Sequence, residues 1–238
     1  MTKDIRIYGE RNSGTNFVNQ LLTSNFQLQV VNNVFEERDE YTCVYDWKHD
    51  APLAKPKENT VDILIVRKLV PWLHSFFKTQ WHLQYQEPFH AFLSNPLQVS
   101  NSMSSQLNER PNQKTHCGTK FINYRDQNLS IFELRYLKWK EMYDYFDSNK
   151  NVVLLQVDRI QTDMYECELF LKKLNQMYNF IATEHFQFKP ITTYKSGKRQ
   201  YIPSLKEKKL KKEEKQIIEN QKDKLVESKI DQLYYILK

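Results

Sequence analysis

The sequence predicts an α/β fold with three layers: a mainly parallel sheet with helices on both faces. Three observations carry that prediction. Runs rich in β-branched and apolar residues alternate with segments of helical period along most of the chain. Two of those runs, Val61–Val66 and Asn151–Asp158, are apolar almost throughout, the pattern of strands covered on both faces. The first run ends in a polar loop between Gly9 and Gly14, and only four glycines occur in the whole chain. Glycines placed so sparingly mark a backbone that must turn sharply or approach a ligand.

Taken in order, Ile5–Tyr8 reads as the first strand and Gly9–Gly14 as a GxxxxG loop. Phe17, Leu21, Leu22 and Phe26 then recur at helical spacing, so a helix runs from Thr15 to about Asn25 with one buried face. Strand, loop and helix N-terminus together make an anion cradle, because the first helical amides are unpaired and the helix dipole favours negative charge there. A nucleotide triphosphatase loop has Lys and then Ser or Thr after its second glycine. Here Thr15 and Asn16 follow Gly14, which points to a phosphate binder other than an ordinary ATPase or kinase.

Tyr41–Trp47 is aromatic and β-branched enough for a second strand, closing on Lys48 and His49. Val61–Val66 is the third and ends abruptly in Arg67. Polar groups delivered at the carboxyl ends of strands match the place where open α/β sheets bind ligands. Pro71 suits the first turn of a helix continued by Trp72, Leu73, Phe76 and Phe77 to Gln80, with Ser75 on it. The segment from Gln86 to Asp126 is rich in Asn, Gln and Ser and has no sustained period, so it reads as a lid or acceptor-binding insertion, or else as disordered. Helical period returns over Leu129–Phe146, a fourth strand occupies Asn151–Asp158, and a further helix spans roughly Thr162 to Tyr178. A basic loop is built round Gly197, and from Pro203 to the end the chain reads as charged helix.

At 238 residues, 40% of them hydrophobic, one domain over 1–238 is preferred. A formal charge of +6 suits a polyanionic ligand, and nucleic acid is the lesser reading because the lysines of 206–215 fit a solvated helix face. Cys43, Cys117 and Cys167 form no CxxC pair and, being three, make a poor disulfide framework. With no secretory pattern at Met1–Asp4 and no run of about 18 apolar residues, the expectation is a cytoplasmic protein without stable membrane association, its Asn128-Leu129-Ser130 sequon idle. The spacings of His74, His82 and His90 match no ligand signature, so no metal is expected.

Three candidate anion sites are thus set out along the chain: Ser13-Gly14-Thr15, Arg67 with Ser75, and Lys198-Arg199. In these motifs and their order the chain resembles the sulfotransferases that use 3′-phosphoadenosine 5′-phosphosulfate (PAPS), which have a phosphate-loop nucleotide-binding fold. The resemblance is close over residues 4 to about 80 and loose beyond. It implies that Asn12, Ser13, Gly14, Thr15 and Asn16 hold the 5′-phosphosulfate, that Arg67 and Ser75 hold the 3′-phosphate, and that Lys198 and Arg199 close over the nucleotide. It implies stacking of Phe17 on adenine, for which a helix-core role is the competing reading. His49 takes the place of the family's general base, able to accept the acceptor's proton as its oxygen attacks sulfur. Family members usually carry Lys directly before Ser-Gly-Thr to stabilise charge on the leaving oxygen. This chain has Asn12 there, which leaves Arg11 or Lys48 to supply the cation.

The resemblance therefore implies sulfuryl transfer from PAPS to a hydroxyl or amine acceptor, small molecule or glycan, leaving 3′,5′-adenosine bisphosphate and requiring no metal. Two other readings stay open: a nucleotide or small-molecule kinase with a degenerate loop, and a catalytically idle nucleotide-binding or nucleic-acid-binding protein.

Overall fold

The computed structural model describes residues 4–9, 13–26, 28, 37–38, 42–43, 59–78, 88–97, 129–181, 183–194, 199–200 and 209–238. The fold is α/β, built on an open four-stranded sheet that is mostly parallel. Its strands are β1 (Asp4–Gly9), β4 (Thr60–Val66), β5 (Val152–Gln156) and β8 (Tyr235–Leu237), in the order β1-β4-β5-β8. β1 and β5 run parallel to β4, pairing Ile7 with Ile63 and Ile63 with Val153, while β8 is antiparallel to β5.

Strand alternation assigns each side chain to a face. Ile5, Ile7, Val61, Ile63, Ile65, Val153 and Leu155 pack against α1 (Thr15–Asn25) and a later helix through Phe17, Leu21, Phe170 and Leu174. Tyr8, Leu64, Val66, Val152 and Leu154 pack on the opposite side against Trp139, Met142, Val226 and Ile230. α2 (Leu69–Lys78) and α3 (Phe89–Ser94) build a satellite cluster around Trp72, Phe76 and Phe92. Pro71 lies in the first turn of α2, where its missing N–H costs nothing.

α4 (Ile131–Ser148) begins after the N-cap residue Ser130. The Ser130 hydroxyl accepts from the Glu133 amide and the Glu133 carboxylate accepts from the Ser130 amide, a capping box worth about 1 kcal/mol. α6 (Met164–Tyr178) starts at Asp163, whose carboxylate accepts from the Tyr165 and Glu166 amides.

Three expectations are corrected. The run Tyr41–Trp47 contributes no described strand to the main sheet: Thr42–Cys43 (β3) pairs antiparallel with Glu37–Arg38 (β2), and residues 44–47 lie outside the described set. A ladder between segments so near in sequence closes a short loop at low entropic cost, and β4 itself takes the place beside β1. The strand expected to reach Asp158 stops at Gln156, and Val157–Thr162 forms the short helix α5. Val157 and Ile160, three apart, bury one face of that helix, and Asp158 sits in its first turn, where the dipole favours a carboxylate. Among the described residues the charged C-terminus is helical over α7 (Lys212–Gln221) and α8 (Lys224–Gln232), not to its end. Beyond them Tyr235–Leu237 extends and covers the open edge of β5. The expected insertion lies largely outside the described residues, which within it are 88–97, including α3. Among the described residues no helix is long and apolar enough to cross a membrane.

Cys167, on α6, is buried in the core, and burial pushes its thiol up to about 12 from an ordinary 9.0. Burial likewise holds the Tyr178 hydroxyl up at about 12. Both groups stay neutral in the folded chain at pH values where the unfolded chain ionises them. Their stabilisation is complete below their unfolded values and is lost as pH rises through the folded ones. Native protein at pH 8 is therefore expected to leave Cys167 unmodified by iodoacetamide, with labelling only after denaturation. Rapid labelling of that residue in folded protein would contradict its burial.

Candidate functional site

Charge enters the middle of the sheet at one point. Arg6 and Asp62 are register partners on β1 and β4, and both are buried, Asp62 to 0% exposure. Arg6 Nε donates to Asp62 Oδ1 at 2.6 Å and Nη2 donates to Oδ2 at 2.7 Å, the bidentate geometry of a strong guanidinium–carboxylate pair. The Tyr145 hydroxyl from α4 donates to Oδ2 at 2.6 Å. Burial works against the Arg6 charge, but the bonds and field of Asp62 outweigh it and hold its pKa above the ordinary value. This pair lies under the sheet surface and has the geometry of a structural lock between the two strands that lead to the loop and to Arg67.

At the carboxyl ends of those strands the backbone turns into the candidate site. Gly9 is the last residue of β1, paired with Ile65 of β4. A Cβ on Gly9 would lie 2.7 Å from the Ile65 carbonyl oxygen and would collide with Ser13 Oγ, so Ser13 sits directly over the strand end. Gly14 has φ +99°, the left-handed region that favours glycine. Its carbonyl accepts from the amides of Phe17 and Val18, which makes it the N-cap residue of α1, and no side chain caps that end. Ser13, immediately before it, is 0% exposed, and its Oγ has no hydrogen-bond partner. A buried hydroxyl left unpaired costs on the order of 1–3 kcal/mol unless something satisfies it. The unpaired hydroxyl and the uncapped helix terminus meet at the same turn.

The second part of the site begins where β4 ends. Arg67 Nε donates to Asp158 Oδ1 at 2.9 Å, and the amide of Lys68 donates to Asp158 Oδ2 at 2.6 Å. The Arg67 and Asp158 side chains are 12% and 5% exposed. Arg135 on α4 donates from Nη2 to the Arg67 carbonyl at 2.7 Å. That guanidinium is itself held by Glu227 of α8, Nε to Oε1 at 2.6 Å and Nη2 to Oε2 at 3.0 Å, with Trp72 at 4.8 Å from its carbon. Arg67 is thus gripped by its side chain from α5 and by its carbonyl from α4, and it enters any complex already paired with a carboxylate.

α5 touches both parts. Asp158 reaches Arg67, while a Cβ on Gly14 would meet Val157 Cγ2 at 3.1 Å and Gln161 Nε2 at 3.2 Å. Asp158 and Gln161 are the site residues that sequence reasoning missed. The apolar run through Asp158 predicts a strand, which would send alternate side chains to opposite faces. The Val157–Ile160 spacing was the available signal.

Ser13, Gly14 and Thr15 are brought together at the head of α1, with Asn16 exposed beside them. Phe17 is 2% exposed in the core, the packing role of that residue. Ser75 is half-buried on α2, two turns beyond Arg67. Arg199 lies in β7 (Arg199–Gln200), opposite Tyr194 of β6 (Thr193–Tyr194), a ladder that lies beside α1. Arg11, Asn12, Lys48, His49 and Lys198 lie outside the described residues. Among the described residues no three His, Cys, Asp or Glu side chains group as a metal site would need. Compared with known proteins, the chain matches no family model, no curated protein and no solved structure.

Proposed function

We propose that this chain is a PAPS-dependent sulfotransferase with a three-layer, phosphate-loop fold, transferring a sulfuryl group to a hydroxyl or amine acceptor, with carbohydrate hydroxyls among the candidates. The observation that carries the proposal is Ser13 Oγ: fully buried, without a partner, and adjacent to a left-handed glycine that opens an uncapped helix. A phosphate or sulfate oxygen would satisfy that hydroxyl and the first amides of α1 together. The resemblance of motif order adds Arg67 and Ser75 for a 3′-phosphate, and the position of Arg67 at the end of a strand parallel to β1 agrees with it.

PAPS supplies an activated sulfuryl group on a phosphate leaving group. In this reading Ser13 donates to the 5′-phosphosulfate, and the amides of Thr15 and Asn16 point their dipoles at the same charge. Asn12 completes that loop. His49 takes the proton from the acceptor oxygen as it approaches sulfur. Arg11 or Lys48 faces the bridging oxygen, where negative charge collects as the bond to sulfur breaks. Lys198 and Arg199 cover the nucleotide from the late basic loop.

The test is a thermal-shift titration of the full chain with 3′,5′-adenosine bisphosphate, compared with ATP and magnesium. At 100 times its dissociation constant a ligand adds about 2.7 kcal/mol of stability, which raises Tm by about 5–10 °C for a chain of this size. That shift is expected with the bisphosphate. Stabilisation by ATP with magnesium alone would refute the sulfotransferase and favour a kinase.

A further inference from the structure

Asp158 takes no part in the proposed chemistry, yet its carboxylate joins the end of β4 to the start of α2. One of its oxygens takes the Arg67 side chain and the other takes the Lys68 amide, with Lys68 directly preceding Leu69, the first residue of α2. Those two elements carry the two residues assigned to the 3′-phosphate, Arg67 and Ser75. The carboxylate is therefore a staple across the junction between them. It also helps to orient the guanidinium, because Nε donates to Asp158 before any ligand arrives. The Arg67 carbonyl is fixed independently by Arg135, so side chain and backbone are anchored from different helices.

We propose that Asp158 is a positioning residue that makes the Arg67 site selective for a ribose 3′-phosphate, an inference that rests on the nucleotide reading. A flexible arginine meets many anions, and its ordering costs rotamer entropy at each encounter. An arginine already oriented offers a fork of fixed direction, suited to a phosphate monoester held in one place by the rest of its nucleotide. The same carboxylate subtracts charge from the site, so the staple and the charge make opposite predictions for its removal. An anion bound by the terminal nitrogens would stand farther from the Asp158 carboxylate than from the guanidinium, so repulsion falls off with that distance and orientation is the larger effect.

The experiment measures, by calorimetric titration of the full chain, the affinities for 3′,5′-adenosine bisphosphate and for AMP, in the wild type, Asp158→Asn and Arg67→Ala. The wild type is expected to prefer the bisphosphate by about tenfold or more, the value of a charge-assisted pair. Asp158→Asn should reduce that preference to about threefold or less while AMP affinity stays within about twofold, because AMP reaches only the Ser13 loop. A general loss of structure would weaken both ligands together and leave the ratio standing. If the asparagine variant does not fold, Asp158→Glu keeps the charge but pushes the guanidinium outward, and the same fall in preference is expected. An unchanged ratio in the Asp158 variant, with Arg67→Ala abolishing it, overturns the positioning role and leaves the nucleotide reading intact. A ratio that rises in Asp158→Asn shows the carboxylate to be a competing anion and also overturns it. A wild type without preference, or one that Arg67→Ala leaves unchanged, refutes the 3′-phosphate site and this inference with it.

Discussion

Asp62→Ala is expected to lower the unfolding free energy by about 3–5 kcal/mol, because it leaves the Arg6 guanidinium charged, buried and without its carboxylate. Folded domains are stable by only about 5–15 kcal/mol, so this one change removes a large share of the total. Urea denaturation should show a lower midpoint with an unchanged slope, since the surface exposed on unfolding stays the same. The Tyr145 hydroxyl, which also loses its acceptor at Oδ2, adds to the cost. The double replacement Arg6→Met with Asp62→Leu should restore most of the loss, because two apolar chains of similar volume carry no desolvation penalty. A loss under about 1 kcal/mol in Asp62→Ala would mean that water reaches Arg6 and that the pair is no structural lock.

The largest effect on binding is expected at Gly14. Gly14→Ala places a side chain at φ +99°, a region that costs an L-residue about 1–2 kcal/mol. The new methyl would stand 3.1 Å from Val157 Cγ2 and 3.2 Å from Gln161 Nε2, so α5 must give way or the loop must rotate. Rotation turns the Ser13 hydroxyl and the first amides of α1 away from a shared anion. Affinity for 3′,5′-adenosine bisphosphate should fall about tenfold or more, measured by calorimetric titration. Ser13→Ala separates the two contributions. Its hydroxyl has no partner in the folded chain, so stability should hold or rise slightly while nucleotide affinity falls. Equal affinities for wild type, Gly14→Ala and Ser13→Ala would remove the loop as an anion site.

Much of this architecture is legible in the sequence because it depends on local pattern. Val61–Val66 and Val152–Gln156 announce buried strands by near-continuous apolar composition, and the helical period over Leu129–Phe146 announces α4. Gly9 and Gly14 stand out because glycine is rare in this chain. Arg6 and Asp62, single opposite charges in the centres of apolar strands, could have been paired from sequence, since each would be costly alone. Sequence and structure part at segments whose composition suits two conformations. Tyr235–Leu237 continues an apolar stripe that fits a helix, and only the vacant edge of β5 makes it a strand. Val157–Asp158 continues a strand run, and only the space beside Gly14 and Arg67 makes it helical.

The sequence by itself determined the α/β class, the order of most elements and the position of the glycine loop before the first helix, because periodicity, composition and glycine usage act over a few residues. Only the tertiary structure decided that β1 lies beside β4, that Asp158 bridges Arg67 to the head of α2, and that Ser13 is sealed in without a partner. Those facts join residues as far apart as 67 and 158, and they follow from which surfaces must be covered together when the sheet closes, a condition that no local stretch of chain contains.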